Sequence, residues 1–160
     1  MNQNELFHLL ALLQVEGVGD IMAKKLLNAF GSAAAVFEAK PNQLRTVDGI
    51  GDVLVRKLKD KSIFEKATAE IQFIEHEGIR VLYFTDEAYP ERLKHCIDGP
   101  VLLFGNGNFD FRNRKLISIV GTRQITAYGT EFCKRLLEDL SFYNPVIVSG
   151  FAYGVDIVAH

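Results

Sequence analysis

Only two cysteines, Cys96 and Cys133, occur in the 160 residues. They are too few and too far apart for a disulfide framework, so both are expected as reduced thiols in a cytoplasmic protein. The four histidines (His8, His76, His95, His160) are scattered, with no H-E-x-x-H or comparable cluster, and no metal site built from side chains is expected. No apolar run approaches the roughly 18 residues of a membrane span. The longest near the start, Leu9 to Leu13, follows a polar Met1-Asn2-Gln3-Asn4 opening, which leaves neither a signal peptide nor a membrane contact to expect. Charge of one sign is lacking too: 18 Lys and Arg against 20 Asp and Glu give a net charge of −2, which excludes a uniformly basic nucleic-acid binder. What is present, 48% hydrophobic and 24% charged residues, is the composition of a folding chain with material for one sizeable core or two small ones.

The N-terminal part repeats itself. At an offset of 32, Val15-Glu16-Gly17-Val18-Gly19-Asp20-Ile21 aligns with Val47-Asp48-Gly49-Ile50-Gly51-Asp52-Val53, and the match continues through Lys24-Lys25-Leu26 and Arg56-Lys57-Leu58. In each copy an apolar segment meets Gly-h-Gly, which permits a tight reversal with positive φ, and helical spacing resumes at Met22, Leu26, Phe30 or at Leu54, Leu58. This predicts helix, hairpin, helix, twice. Gly31 is a helix stop, Ser32 a cap for a short helix over Ala33 to Ala39, and Pro41 a barrier before the second copy.

These residues resemble the tandem helix-hairpin-helix of SAM-like domains. That resemblance implies a phosphate contact in which uncovered amides at Gly17, Gly19, Gly49 and Gly51 act with Lys24 and Arg56. The residues themselves leave a second contact with DNA and a docking surface for a protein both open. Nine basic and nine acidic residues make the first 70 neutral; Glu16 and Asp48 precede the hairpins, and Asp20 and Asp52 stand where a cap would take the same amides.

Beyond it, Ser62 to Glu77 has helical spacing, Ile79 to Phe84 is β-rich, Pro90 opens a short helix through about Ile97, and Pro100 to Phe104 reads as a strand. This connector is expected to be packed on the domain that follows, and no site is assigned to it.

Lys115 to Val120 has the mostly apolar character of a buried parallel strand and ends at Gly121-Thr122-Arg123. A helix over Ala127 to Leu140 and a strand over Pro145 to Val148 follow, ending at Ser149-Gly150-Phe151-Ala152-Tyr153-Gly154-Val155-Asp156. The pattern is β-α-β, which puts both loops at the carboxyl edge of a sheet, where such folds bind ligands. The dinucleotide fingerprint G-x-G-x-x-G is missing after the first strand, which removes most support for a dehydrogenase; no cofactor is expected. Instead, Gly121 allows close approach, Thr122 offers a hydroxyl, and Arg123 a fork that matches phosphate oxygens. Ser149, Gly150 and Gly154 supply a second cradle, Asp156 either caps the next helix or orients Arg123, and Phe151 and Tyr153 either stack on bases or pack on the sheet.

Together, Ser118-Ile119-Val120-Gly121-Thr122-Arg123, Thr126-Ala127-Tyr128-Gly129, the Ser149 to Asp156 loop and Ala159-His160 resemble the DNA-processing protein A (DprA/Smf) family. Tyr89-Pro90-Glu91-Arg92-Leu93 and Gly99 to Gly107 are similar to that family's lead-in. The resemblance implies an α/β fold, with a helical SAM-like domain over residues 1–70, then a connector and the first part of a Rossmann-like parallel sheet over 71–160. It implies a non-enzymatic protein that binds single-stranded DNA without sequence preference and helps load the RecA recombinase in natural transformation. Gly121, Thr122, Arg123, Ser149, Gly150 and Gly154 then line the phosphate pocket, with Asp156 in support. The family's sheet continues past Ala-His, so the chain reads as an N-terminal fragment of a protein that dimerises at full length. The alternative is a related Rossmann-like hydrolase of nucleoside monophosphates, although no nucleophile-base pair is evident in the sequence.

Overall fold

The computed structural model describes residues 1–112 and 114–160 and divides into two compact units, Met1–Phe109 and Asp110–His160.

The first unit begins with α1 (Gln3–Leu13), capped by Asn2, whose side chain accepts from the Glu5 amide at 2.8 Å. After the first hairpin comes α2 (Asp20–Phe30), closed by Gly31 at φ +83° with its N–H on the Leu27 carbonyl, and then α3 (Ala33–Glu38), capped by Ser32. Pro41 does more than interrupt: it occupies the first turn of α4 (Pro41–Leu44), where its missing N–H costs nothing. The second copy therefore has a first helix of only four residues, followed by α5 (Asp52–Leu58) and the long α6 (Ser62–His76). Leu9, Leu12, Leu26, Val36, Leu44 and Leu58 are fully buried and form the centre of this unit. Phe7, Phe37 and Phe64 pack ring against ring at its edge.

Strand β1 (Arg80–Tyr83) pairs antiparallel with β2 (Leu102–Gly105), and α7 (Glu91–Lys94) lies between them. Contrary to expectation, this connector belongs to the compact unit of the helices. Val101 is 0% exposed among their side chains, and its amide donates to Asp20 Oδ1 at 2.8 Å. A buried valine and a buried-side amide bond anchor the chain where sequence patterning, which is blind to docking partners, marked only a linker. Tyr89 is also buried and donates its hydroxyl to the Pro100 carbonyl at 2.6 Å.

In the second unit β3 (Leu116–Ser118) and β4 (Val146–Val148) pair in parallel, Ile117 opposite Ile147, across α8 (Ala127–Leu140). The ladder is shorter than the predicted strands but extends through Ile119 N–H to the Val148 carbonyl and Val146 N–H to the Lys115 carbonyl. Thr126 caps α8 by accepting from the Gly129 amide, and Cys133 points to the interior. The short α9 (Val155–Val158) follows the second glycine loop. No helix among the described residues is long and apolar enough to cross a membrane.

Candidate nucleic-acid interface

The two predicted loops meet through one carboxylate. Asp156 is 5% exposed; its Oδ1 accepts from the Gly121 amide at 3.3 Å and its Oδ2 from the Gly150 amide at 2.9 Å. A buried carboxylate is tolerated when backbone N–H groups satisfy it, and here they come from the tips of both strands. Asp156 thus neither caps α9 nor orients Arg123 among the described residues; it staples the loops together. The amides of Gly121 and Gly150 are engaged by the protein itself, which leaves the surrounding side chains to meet a ligand.

The glycines are required by this closeness. A Cβ on Gly121 would stand 2.5 Å from Val155 Cγ2, and one on Gly154, at φ +89°, would collide with the Thr122 carbonyl oxygen and the Arg123 backbone. The Val155 amide donates to the Thr122 carbonyl at 3.1 Å, a further tie between the loops. Thr122 Oγ1 accepts from the Gln124 amide at 3.1 Å, which shapes the turn. Arg123 is exposed and has no hydrogen-bond or ion-pair partner among the described residues.

Ser149 Oγ accepts from the Phe151 amide at 3.0 Å and lies 2.8 Å from His160 Nε2. Eleven positions separate the two residues, so local patterning carries no signal for this serine-histidine contact. Phe151 adopts φ +51°, unusual for a side chain of its bulk, and its ring stands edge-on to His160 with centroids 5.4 Å apart. Phe151 is 71% exposed and Tyr153 79%, so of the two readings of these aromatics the structure leaves the faces open instead of packed on the sheet.

The hairpins behave differently. Gly17 and Gly49 have φ of +95° and +89°, whereas Gly19 and Gly51 are extended. Only the first glycine of each pair is demanded by the backbone. Asp20 and Asp52, expected as caps, are not: Asp20 accepts from the Val101 amide and Asp52 from Arg45 Nε at 2.8 Å. Lys24 donates to the Cys96 and Ile97 carbonyls at 3.2 Å each. Lys25 and Lys57 form ion pairs of 2.7 Å with Asp48 and Glu16. These hydrogen bonds, with the lysine charge second, hold both carboxyls below their ordinary range. The repeat itself carried the signal for this, since the acid and the lysine of each copy recur at the same offset.

A tandem helix-hairpin-helix joined to a Rossmann-type strand-helix-strand, with a stapled pair of loops at the strand tips, defines the class. Residues 9–61 match the SAM-like helix-hairpin-helix tandem, and residues 80–160 match DNA recombination-mediator protein A. The chain belongs to this DprA/Smf family. It is 36% identical over 85 residues to the DNA processing protein DprA of Bacillus subtilis, an alignment covering 52% of this chain and 29% of the relative. Protein Smf of Synechocystis is 30% identical over 168 residues, with 100% of this chain and 41% of the relative covered. The X-ray structure of DprA from Streptococcus pneumoniae superposes with a TM-score of 0.62 at 23% identity, over 100% of this chain and 53% of that one, and so shares the fold. The chain spans well under two thirds of the length of each of these relatives.

Proposed function

We propose that the loops at the tips of β3 and β4 hold the backbone of single-stranded DNA without sequence preference and without chemistry on it. The observation that carries this reading is the exposed Arg123, without a hydrogen-bond or ion-pair partner among the described residues, beside two glycine loops tied together by buried Asp156. A guanidinium on a rigid loop can form paired bonds to phosphate oxygens, and such contacts supply sequence-independent affinity. Thr122 and Ser149 add hydroxyls, Gly121, Gly150 and Gly154 let the two loops close on each other, and Phe151 and Tyr153 offer open faces for bases. The family's description as a DNA recombination mediator supports a role in handing strands to RecA, and a homodimer is proposed for the full-length protein. The test is single-strand affinity of the chain with Arg123→Ala: binding should weaken alike on all sequences, with the salt slope shallower by about one. Unchanged affinity and slope would refute it.

A second reading, hydrolysis of nucleoside monophosphates, has one observation on its side: Ser149 Oγ lies 2.8 Å from His160 Nε2, where an imidazole can take a proton. Incubation with AMP decides it, since release of free base requires an enzyme and its absence leaves the binding reading.

A further inference from the structure

The offset of 32 pairs Ile21, Lys24 and Lys25 of α2 with Val53, Arg56 and Lys57 of α5, and Asn28 with Asp60 just beyond it. The two faces nevertheless present different chemistry. On the second copy, a cavity of about 320 Å³ is bordered by Glu16 and Asp52, with Lys57 as its cation. On the first copy the connector closes over α2, and a cavity of about 320 Å³ is lined by Lys24, Lys25, Lys94 and His95, with no carboxylate in its wall among the described residues.

The charges in this groove are unevenly compensated. Lys25 pairs with Asp48, and Lys94 lies 3.4 Å from Glu91, itself 3.5 Å from His95. Lys24 is half-buried, and its ammonium meets two carbonyl dipoles and the Phe84 ring, 5.7 Å from the centroid, with no carboxylate at hydrogen-bond distance among the described residues. An ammonium has three donors; two are used here. Beside it the wall is apolar: Phe84, Ile21 and an Ile97 that is 80% exposed. A half-buried cation with a donor to spare, next to an apolar rim, suits a ligand that joins an anion to a flat apolar group.

We propose that the groove between α2 and the connector is a nucleotide site, with the phosphate at Lys24 and Lys94 and the base across Ile97 and Phe84. It is separate from the loops at the strand tips and stands or falls independently of them. A free monophosphate and a unit within a single strand present the same phosphate and base, so the experiment uses both.

Uniformly ¹⁵N-labelled chain is titrated with dTMP, with thymidine and with (dT)₁₂ while the amides of Ile21, Asn28 and Ile97 are followed. Saturable movement with dTMP, absent with thymidine, is the expected result; movement with (dT)₁₂ alone assigns the site to a strand and also supports the proposal. Lys94→Glu should weaken binding by about fivefold. Ile97→Glu, at a solvent-facing position, should weaken it too, while Lys66→Glu on the exposed face of α6 is the charge-matched control. Amides that stay still with both phosphate ligands, equal movement with thymidine, or a dissociation constant that neither groove variant changes would overturn the proposal. The amides of Thr122 and Arg123 report the loop site in the same spectra, so failure at one place is distinguished from failure at the other.

Discussion

Lys57 reaches from α5 to Glu16, the acid before the first hairpin, at 2.7 Å, and the same bond recurs 32 residues away between Lys25 and Asp48 in the opposite sense. The packing is reciprocal as well: a Cβ on Gly17 would meet Leu54, and one on Gly49 would meet Met22. Each copy of the repeat therefore lays its second helix against the hairpin of the other. Lys25 and Lys57 thus close a pseudo-twofold arrangement.

These ion pairs give a pH dependence with a definite sign. Glu16 and Asp48 are held below their ordinary carboxyl range when folded, so the unfolded chain binds protons first. Their contribution to stability is complete above the unfolded values and is lost as pH falls through the folded ones. Carbon-detected titration should show both carboxyls low, and Lys57→Met should return Glu16 to the ordinary range while leaving Asp48 depressed.

The two glycines of a hairpin should differ in their tolerance of a side chain. Gly49→Ala places a Cβ at φ +89° and 2.8 Å from the Met22 methyl. The flexible methyl can move but the backbone cannot, so a loss of about 1 to 2 kcal/mol is expected. Gly51 is extended with open space around it, so Gly51→Ala should stay within about 0.5 kcal/mol or stabilise. Urea denaturation of the two variants measures the contrast.

Val101 makes the connector part of the helical core. Val101→Ala removes two methyls from a fully buried site, and a cost of about 2 kcal/mol is expected. Because β2 begins at the next residue, amide exchange in β1 and β2 should quicken together with that of α2. Strands that opened while α2 kept its protection would show that the connector is not part of the same cooperative unit.

Asp156→Asn tests the staple between the loops. The amide side chain can still accept at one position but presents an N–H to the other backbone amide, so one of Gly121 and Gly150 loses its acceptor. The second unit should lose roughly 1.5 to 3 kcal/mol, the scale of a hydrogen bond to a charged group. Faster exchange at Gly121 or Gly150, with the first unit unchanged, is the local signature.

What could be read in advance follows physical lines. The hairpins, the cap at Ser32, the stop at Gly31 and the order β3-α8-β4 rest on local rules of spacing and backbone freedom, and these act within a few residues of chain. Asp20 accepting from Val101, Asp156 bridging Gly121 and Gly150, and His160 beside Ser149 are long-range satisfactions of polar groups. Local patterning does not encode them, so the caps expected at Asp20 and Asp156 gave way to partners from elsewhere in the chain. The Lys25 and Lys57 pairs lie between these cases, since the repeat displays both charges and only the crossing of the copies decides who meets whom.

Phe151 separates folding from binding most sharply. Its φ of +51° carries a strain that glycine would not, and its ring is 71% exposed, so little burial is lost with it. Phe151→Gly should leave stability unchanged or raise it, despite the lost edge contact with His160 and the added freedom of the unfolded chain. If the ring stacks on a base, single-strand affinity should fall by about 1 to 3 kcal/mol in the same variant. Tyr153→Ala should weaken binding on the same scale with stability unchanged. Thermal unfolding and fluorescence anisotropy on one preparation read both quantities. Full affinity in both variants would remove the aromatics from the interface and leave Arg123 and the hydroxyls as its contacts.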